Sequence, residues 1–264
     1  MIKYSFVLPI SRNDNYTKLC INSIINQDFN KEEYELIIVL NGENSQEIFS
    51  LIESQLSESE IIYTIKFLPL GDFAYALNYS ISLSKGKYIV RIDNDDINTF
   101  DRLKIIDTFI SSYPEINFFC TSAYFIDDNG KNLNIDLNFP SKSKEISYYK
   151  FLILKSKILH PTVVVKRESF SKYKYSGLRI VEDLDLWLNL FLNNEKMFYI
   201  NCETLYYRIS SVQSSRKIVT YQYAMLTWLK YLLTNFRFFY LFGFIFACIK
   251  YFYKKFSKIK IFYI

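Results

Sequence analysis

Three carboxylates lie within four residues at the end of an apolar segment of the chain. The segment KYIVRI, residues 87–92, leads directly into Asp93, Asp95 and Asp96. Carboxylates this close repel one another unless a cation or hydrogen-bond donors neutralise them. Hard divalent ions bind oxygen ligands of this kind, and Mg²⁺ or Mn²⁺ commonly joins a carboxylate to substrate phosphates. The cluster therefore predicts a Mg²⁺ or Mn²⁺ site that holds a phosphorylated ligand.

Three other interpretations of the acidic cluster are open. A calcium loop needs a glycine and a more distant glutamate at set spacing, and the segment DNDDINTF has neither. A phosphatase-type aspartyl nucleophile would be expected at the first strand of the fold, whereas this cluster follows the fourth predicted strand. A solvated turn with helix-capping acids fits Asp96 and Asp101 better than Asp93 and Asp95, which lie at the strand end.

The other residues with chemical potential are spread along the chain. Glu182 and Asp183 open a predicted helix, where acids also complement the helix dipole. His160 is the sole histidine, which excludes any site that needs two histidines. The cysteines are far apart and lack metal-ligand spacing, so we expect separate buried thiols in a reducing compartment. These cysteines are Cys20, Cys120, Cys202 and Cys248.

Strands and helices alternate regularly through the first hundred residues. The predicted strands cover 3–10, 34–41, 61–70 and 87–93, and the predicted helices cover 15–27, 45–56 and 73–86. This spacing predicts an α/β fold with a mostly parallel central sheet flanked by helices on both faces. Because ligands bind beyond the carboxyl ends of parallel strands, the acidic cluster lies at the predicted mouth of the site.

The second half of the chain has a mixed pattern and no linker-like stretch. A strand is predicted to run through 116–126 into a turn at Gly130, followed by a short strand at 161–166. A helix at 181–194 and a late strand at 196–209 complete the pattern. The chain is therefore expected to form one continuous domain to about residue 210.

The net charge of +5 conceals a difference between the body of the chain and its end. Residues 1–203 carry 22 Lys and Arg against all 27 Asp and Glu, whereas residues 204–264 carry the other 10 basic residues and no acid. The uncharged run over 238–249 would form a helix about 18 Å long, against a hydrocarbon core of roughly 30 Å. Phe and Tyr flanked by Lys favour an element that lies on an anionic membrane surface.

Two alternatives to membrane binding by this tail were weighed. Nucleic acid is disfavoured because the tail is mostly Phe, Ile and Leu, with few polar groups for backbone contacts. A helix pair that packs on the domain is compatible in part with membrane binding. Since Met1 leads directly into a predicted strand without a signal peptide, we expect a cytoplasmic protein, peripheral on the inner face of the cell membrane.

Five segments, taken in order, resemble family 2 glycosyltransferases with the GT-A fold. They are VLPI, ELIIVLNG, GDFAYALNYSISLSKGKYIVRIDNDD, HPTVVVKRESF and VEDLDLWLNL, within residues 3–209. The resemblance implies a GT-A domain over 1–210, with a Rossmann-like nucleotide-sugar-binding half over 1–98 and an acceptor half over 99–210. A hydrophobic and basic helical tail would follow over 211–264.

The activity that the resemblance implies is an inverting, metal-dependent transfer of a sugar from a nucleotide diphosphate donor, in the simplest case a UDP-sugar. The acceptor would be a hydroxyl of a glycan or of a lipid-linked molecule. The setting would be bacterial polysaccharide biosynthesis of the capsule, O-antigen or lipopolysaccharide type.

Several residues are assigned to the donor by the same resemblance. Asp93 and Asp95 match the family's Asp-X-Asp motif, so Asp93 would lie near the ribose or sugar and Asp95 would hold the metal on the diphosphate. Asn41 stands where the family usually has an Asp that reads the base, and an amide can still pair with a uracil-like edge. Asn78 matches an Asn that faces the donor.

Three further donor-side features follow from the resemblance. Pro9 and Ile10 match the start of the nucleotide pocket. Arg208 would contact phosphate within the stretch LYYRISSVQSS, residues 205–215, which resembles a mobile lid. The family's Tyr-Asn after the first Pro is replaced by Ser11-Arg12-Asn13, so this chain departs from the family at that point.

The acceptor side is assigned in the same way. Inverting transfer needs one group to take the proton from the attacking hydroxyl. The resemblance gives that role to Asp183, with Glu182 beside it in contact with the acceptor or the helix terminus. His160 matches a position near the acceptor or metal, with loop positioning as the alternative. Trp187 would form the floor of the acceptor site or pack in the core.

Two other functions share this pattern. A sugar nucleotidyltransferase would need a Gly-rich basic loop after the first strand, and the segment PISRNDNY has no glycine. A membrane-bound nucleotide-sugar-binding protein without turnover is the second, and the intact Asp93, Asp95 and Asp183 count against it.

Overall fold

A single mixed sheet organises the protein. The computed structural model describes residues 1–11, 15–42, 45–135, 139–146, 158–176, 180–210 and 218–256, and within them it contains ten strands. The strands are β1 Tyr4–Ile10, β2 Tyr34–Asn41, β3 Ile62–Leu68, β4 Tyr88–Arg91, β5 Ile97–Asn98, β6 Phe118–Ile126, β7 Asn132–Leu133, β8 Lys144–Ile146, β9 Val164–Lys166 and β10 Met197–Arg208.

The strand order separates a parallel half from a mixed half. The order along the sheet is β3-β2-β1-β4-β9-β6-β10-β5, with β7 paired to β6 and β8 paired to β10. Strands β3, β2, β1 and β4 are parallel, β9 is antiparallel to both β4 and β6, and β10 is parallel to β6. The predicted α/β fold with a mostly parallel sheet is confirmed.

Seven α-helices lie in the described part of the chain. They are α1 Asn15–Ile25, α2 Ser45–Leu56, α3 Phe73–Leu83, α4 Arg102–Ser112, α5 Glu182–Leu192, α6 Ile218–Thr234 and α7 Phe238–Phe256. All seven elements predicted in the first hundred residues match to within three residues at each end. The fourth strand ends at Arg91, two residues earlier than predicted, because the loop that bears the acidic cluster begins there.

The two faces of the sheet carry separate apolar cores. Because side chains alternate along a strand, Phe6 and Leu8 of β1 pack on one face while Val7 packs on the other. The first face is covered by α1, α2 and α4 through residues such as Ile21. The second face is covered by α3 and α5 and by the C-terminal helices. Helices therefore flank the sheet on both faces, as predicted.

Helix α3 ends three residues before the glycine that was expected to stop it. Its last residue is Leu83, and Ser84 caps it with a backbone N–H bond to Ile81. Gly86 has a different role, because a Cβ there would lie 2.6 Å from the Ser5 hydroxyl. The glycine thus permits a close approach to β1, where its N–H donates to Ser5 Oγ over 2.8 Å.

The C-terminal helices pack on the rest of the protein. Trp228 and Tyr240 are buried in the same core as α5, and Gly243 lies directly against the Trp228 ring. Lys230 Nζ binds Asp185 Oδ1 at 2.9 Å, and Tyr231 donates to the Asp185 carbonyl. The helix pair therefore packs on the domain, as one interpretation of the tail sequence predicts. Among the described residues, no helix combines the length and apolar character needed to cross a bilayer.

Candidate active site

The carboxyl ends of β1, β2 and β4 form one edge of the site. The parallel register of these strands puts Ile10 beside Leu40 and Val7 beside Arg91. Pro9 and Ile10 are buried at this edge. Asn41 is also buried, and its side-chain Oδ1 has no hydrogen-bond partner in the described structure. An unpaired buried acceptor at a strand end is suited to a ligand's N–H group.

The acidic cluster follows β4 at this edge. One oxygen from each carboxylate of Asp93, Asp95 and Asp96 lies within 4.8 Å of the other two. Asp96 is buried, so it is not the solvated capping acid that was one interpretation of it. Burial, and then the charges of Asp95 and Asp93, raise the pKa of Asp96 well above its ordinary value.

The cluster fits a hard divalent cation. Asp96 Oδ1 accepts a hydrogen bond from the Arg208 backbone N–H at 2.8 Å, whereas its Oδ2 is buried without a hydrogen-bond partner in the described structure. An orphaned carboxylate oxygen next to two further carboxylates is the ligand set that Mg²⁺ or Mn²⁺ prefers.

Arg208 holds the acidic loop from the far half of the sheet. It is buried at the end of β10, where its Nε donates to the Asp95 carbonyl at 2.9 Å and its Nη1 to the Asp127 carbonyl at 2.6 Å. The guanidinium also lies 4.1 Å from the Tyr16 ring centroid. Its side chain is thus engaged with protein groups, and contact with phosphate stays a prediction. The rest of the predicted lid, residues 211–215, lies outside the described residues.

Helix α1 supports the acidic loop from the other side. Asn94 Nδ2 donates to Thr17 Oγ1 at 2.9 Å, and the Cys20 thiol donates to the Asp93 carbonyl at 3.3 Å. The loop is therefore fixed by contacts from α1 and β10, so the positions of its carboxylates do not depend on a bound ion alone.

Arg91 is a functional candidate that sequence reasoning missed. Its guanidinium is buried between the acidic loop and α3, with Nη2 bound to Asp93 Oδ1 at 2.6 Å and Cζ 5.4 Å from the Phe73 ring centroid. A basic residue inside the apolar run before the cluster was the available signal, because an arginine is rarely buried without a partner.

A second acidic group opens α5. Burial and the neighbouring charge of Asp183 raise the pKa of Glu182 to about 8. Burial also raises the pKa of Asp183, whereas a hydrogen bond from the Leu184 N–H at 2.7 Å lowers it. Ile180, just before the helix, has a φ of 79°, which is strained for a β-branched residue. Such strain is common where a chain is bent to present functional groups.

His160, Trp187 and Asn78 are brought together around Tyr175, which sequence reasoning also missed. His160 Nε2 and the Tyr175 hydroxyl are 2.8 Å apart, and the Trp187 ring meets the imidazole edge-on at 5.9 Å. Burial, and then the charge of Arg91, lower the pKa of His160 well below its usual value, so the ring is neutral.

The amide of Asn78 is engaged by the Tyr175 backbone at both ends. Its Nδ2 donates to the Tyr175 carbonyl at 2.8 Å, and its Oδ1 accepts from the Tyr175 N–H at 3.1 Å. This bidentate contact ties α3 to the segment before α5. A donor contact by Asn78 stays a prediction.

Comparisons with known proteins agree with this architecture. A model of the family described as glycosyl transferase family 2 matches residues 5–174. The O-antigen biosynthesis glycosyltransferase WbnJ of Escherichia coli is 28% identical over 222 residues, which cover 82% of this chain and 84% of that protein.

Two solved proteins share the fold at low sequence identity. S. aureus TarS, residues 1–349, gives a TM-score of 0.72 at 17% identity over 97% of this chain and 73% of that one. The same TarS fragment has been solved with UDP-GlcNAc, where the TM-score is 0.68. The mannosyltransferase PcManGT from Pyrobaculum calidifontis, solved with GDP-Man and Mn²⁺, gives 0.64 at 12% identity over 97% and 70% of the two chains.

The family match begins in β1, includes the acidic loop and the His160 segment, and ends just before Tyr175. It therefore covers more than half of the chain and most of the site residues described above, and the chain belongs to glycosyl transferase family 2.

Proposed function

We propose that this glycosyltransferase moves a sugar from a UDP-sugar to a hydroxyl of a glycan or lipid-linked acceptor, with inversion at the anomeric carbon. The choice of UDP is supported by TarS, a structural neighbour that has been solved with UDP-GlcNAc. A role in bacterial surface polysaccharide assembly is supported by the likeness to the O-antigen glycosyltransferase WbnJ.

The proposal rests on two groups of acidic residues, one at the end of β4 and one at the start of α5. Asp93, Asp95 and Asp96 converge at the carboxyl edge of the parallel strands, where an α/β sheet binds nucleotides. Asp183, at the start of α5, has a raised pKa, as a general base requires. The charge of Arg91 acts on both groups, because it lowers the pKa of Asp183 and binds Asp93.

The donor site uses the strand ends. Pro9 and Ile10 form the floor of the nucleotide pocket, and the unpaired Oδ1 of Asn41 accepts a hydrogen bond from the base. Asn78 and Asp93 contact the sugar side of the donor. Arg208 contacts the phosphates where it meets the acidic loop, as well as holding that loop in place.

Asp95 and Asp93, together with Asp96, are the residues that would hold Mn²⁺ or Mg²⁺. When bound, the ion offsets the negative charge that develops on the leaving diphosphate. Manganese is supported by the neighbour PcManGT, which has been solved with this ion.

Asp183 acts as the general base of the transfer. The acceptor oxygen forms a bond to the anomeric carbon as the bond from that carbon to the diphosphate oxygen breaks, and the electron pair leaves with UDP. Asp183 takes the proton of the attacking hydroxyl. Attack from the face opposite the leaving group inverts the configuration. Glu182, His160 and Trp187 form the acceptor side, where the neutral imidazole can accept or donate a hydrogen bond.

The acceptor is brought to the enzyme at a membrane surface, on the cytoplasmic side. Helix α7 presents an outward stripe at helical spacing, with its apolar residues about half exposed or more. The stripe consists of Phe238, Phe242, Phe246, Ile249, Phe252 and Phe256. Lys250, Lys254 and Lys255 flank it, and residues 204–264 contain no acid, which favours an anionic bilayer.

A two-stage experiment tests the proposed function. A panel of nucleotide sugars is screened for thermal stabilisation of the protein with Mn²⁺ present, and the best donor is then incubated with the enzyme. Slow release of UDP that depends on Mn²⁺ is the expected result. Formation of UTP and a sugar 1-phosphate when pyrophosphate is added to the UDP-sugar would indicate a nucleotidyltransferase instead. Binding without any release, with and without candidate acceptors, would indicate a binding protein.

A further inference from the structure

A buried arginine, Arg91, lies between the two acidic groups. Among the described residues, only one of its three guanidinium nitrogens has a partner. The Arg91 side chain is 4% exposed, and it forms one ion pair, from Nη2 to Asp93 Oδ1. Its Cζ lies over the ring of Phe73, 5.4 Å from the ring centroid, at the start of α3. The ion pair accounts for one of the three guanidinium nitrogens.

The other two nitrogens have no hydrogen-bond partner in the described structure. Both Nε and Nη1 of Arg91 are buried, and neither contacts an acceptor that belongs to a described residue. A buried charged donor that has lost its hydration is costly unless a partner replaces the water. Two such donors on one side chain therefore indicate that a ligand supplies their acceptors.

The charges around Arg91 locate that ligand. The charge of Asp93 favours the charged form of the guanidinium most, and the charges of Tyr175 and Glu182 favour it less. In turn, the charge of Arg91 opposes the rise in pKa of Glu182 and Asp183. The guanidinium thus lies within electrostatic reach of both the donor-side acid and the acceptor-side acids.

In the proposed function, on which this step rests, the transferred sugar occupies the space between those acids. Asp93 lies beside the donor, and Asp183 reaches the hydroxyl that attacks the anomeric carbon. Because Arg91 lies between these acids, its two unpaired N–H donors are within reach of the sugar ring. The hydroxyl oxygens of that ring accept hydrogen bonds.

We propose that Arg91 binds the transferred sugar and helps to select it. Nε and Nη1 donate hydrogen bonds to hydroxyl oxygens of the sugar, while Nη2 holds Asp93 in position. Lysine cannot replace this arrangement, since its ammonium lacks the planar set of donors.

The test compares nucleotides with and without the sugar. Isothermal titration with Mn²⁺ present measures the affinity of UDP and of UDP-glucose, UDP-galactose, UDP-GlcNAc and UDP-GalNAc for the wild type, Arg91→Lys and Arg91→Met. Arg167→Lys is the matched control, because Arg167 lies beyond β9 near the opposite end of β4, where its Nε donates to the Gly86 carbonyl. Thermal unfolding verifies that each variant is folded.

We expect Arg91→Lys to weaken binding of the UDP-sugar much more than binding of UDP. For the best-bound UDP-sugar, Arg91→Lys should weaken binding by about 10-fold or more, while the affinity for UDP changes by less than about 3-fold. The control should change neither affinity. An equal loss for UDP and the UDP-sugar would overturn the proposal, because it would move the contact to the diphosphate. Unchanged affinity for both would overturn it as well.

A second measurement remains informative if Arg91→Met does not fold. Monodeoxy analogues of the best UDP-sugar should bind the wild type more weakly at the contacted hydroxyls, and Arg91→Lys should no longer distinguish them from the parent sugar. If the variant discriminates as the wild type does, Arg91 does not contact the sugar. If the wild type binds none of the five nucleotides, the proposed function itself fails, and the Arg91 proposal fails with it.

Discussion

The carboxyl group of Asp183 illustrates how local surroundings set a residue's chemistry. Burial raises its pKa, whereas the Leu184 N–H and the charge of Arg91 lower it. The outcome is a half-buried carboxylate with greater proton affinity than an exposed aspartate. Glu182 beside it is pushed further, to a pKa of about 8, so it holds its proton at neutral pH. The pKa of both neighbours is thus raised, as is common for carboxyl groups that exchange protons with a substrate.

Asp183→Asn should abolish proton transfer while leaving the donor site intact. We expect the rate of sugar transfer to fall by about 10²–10⁴-fold, the usual contribution of a general base. Donor affinity, measured by titration calorimetry, should stay within about 3-fold of the wild-type value. Asp185→Asn on the same helix is the matched control, since Asp185 binds Lys230 of α6. Near-normal transfer by Asp183→Asn would remove it from the role of base.

The pH dependence of transfer should report the raised pKa of Asp183. A base acts when deprotonated, so the rate should fall as the pH falls through its folded-state pKa. Because that pKa is raised, the fall should begin at a higher pH than for an ordinary aspartate. Because burial lowers the pKa of His160 well below its usual value, we assign the acidic limb to Asp183 and expect His160→Gln to keep it. Loss of the limb in that variant would assign it to the histidine.

Asp96 should be a metal ligand in addition to Asp93 and Asp95. Asp96→Asn keeps an oxygen for the Arg208 N–H but removes the charge at the orphaned Oδ2. Loss of a group that only orients a metal ligand already costs about 10–100-fold in metal affinity, so loss of a direct ligand should cost at least that much. Calorimetric titration of Mn²⁺ into the UDP complex measures this, with Asp95→Asn for comparison and Asp101→Asn as the control. Unchanged Mn²⁺ affinity in Asp96→Asn would exclude it as a ligand.

At the scale of elements, the sequence predicts the parallel half of the sheet better than the contacts between halves. Periodicity and turn residues locate β1, β2, β3 and their helices, because the apolar patterns are local. The Asn78–Tyr175 contact joins residues 97 apart, and Arg208 meets Asp95 across 113 residues. No local pattern encodes such pairings. Arg91 was missed for a related reason, since its importance depends on burial between Asp93 and the distant acids Glu182 and Asp183.

Asn78→Ala should loosen the connection between α3 and the segment that leads to α5. It leaves the Tyr175 N–H and carbonyl without their partners, so the free energy of unfolding should fall by about 1–3 kcal/mol. Asn78→Asp keeps the acceptor for the N–H but places a carboxylate oxygen against the Tyr175 carbonyl, so it should also be destabilising. Urea denaturation followed by circular dichroism measures both. A change below about 0.5 kcal/mol in Asn78→Ala would contradict a structural role for this contact.

At the scale of the whole molecule, charge and apolar surface are concentrated in one region. The basic C-terminal helices carry the exposed stripe of α7, while the acidic groups of the site lie at the edge of the sheet. Helix α7 also buries Phe239 and Tyr240 in the core. Deletion of residues 236–264, the simplest test suggested by the sequence, would therefore remove part of the core together with the proposed membrane surface. Substitutions confined to the outer face separate the two effects.

Phe242→Ser combined with Ile249→Ser should weaken binding to vesicles of phosphatidylglycerol without unfolding the protein. Both side chains are more than half exposed, and each apolar side chain removed from the membrane interface forfeits about 1–2 kcal/mol. The matched control is Leu51→Ser with Leu70→Ser, two equally exposed leucines outside α7. Replacing Lys250, Lys254 and Lys255 with Gln should cost about 1 kcal/mol each, and only at low salt. If the α7 double variant still co-sediments with vesicles as well as the control does, the apolar stripe is not the membrane-binding surface.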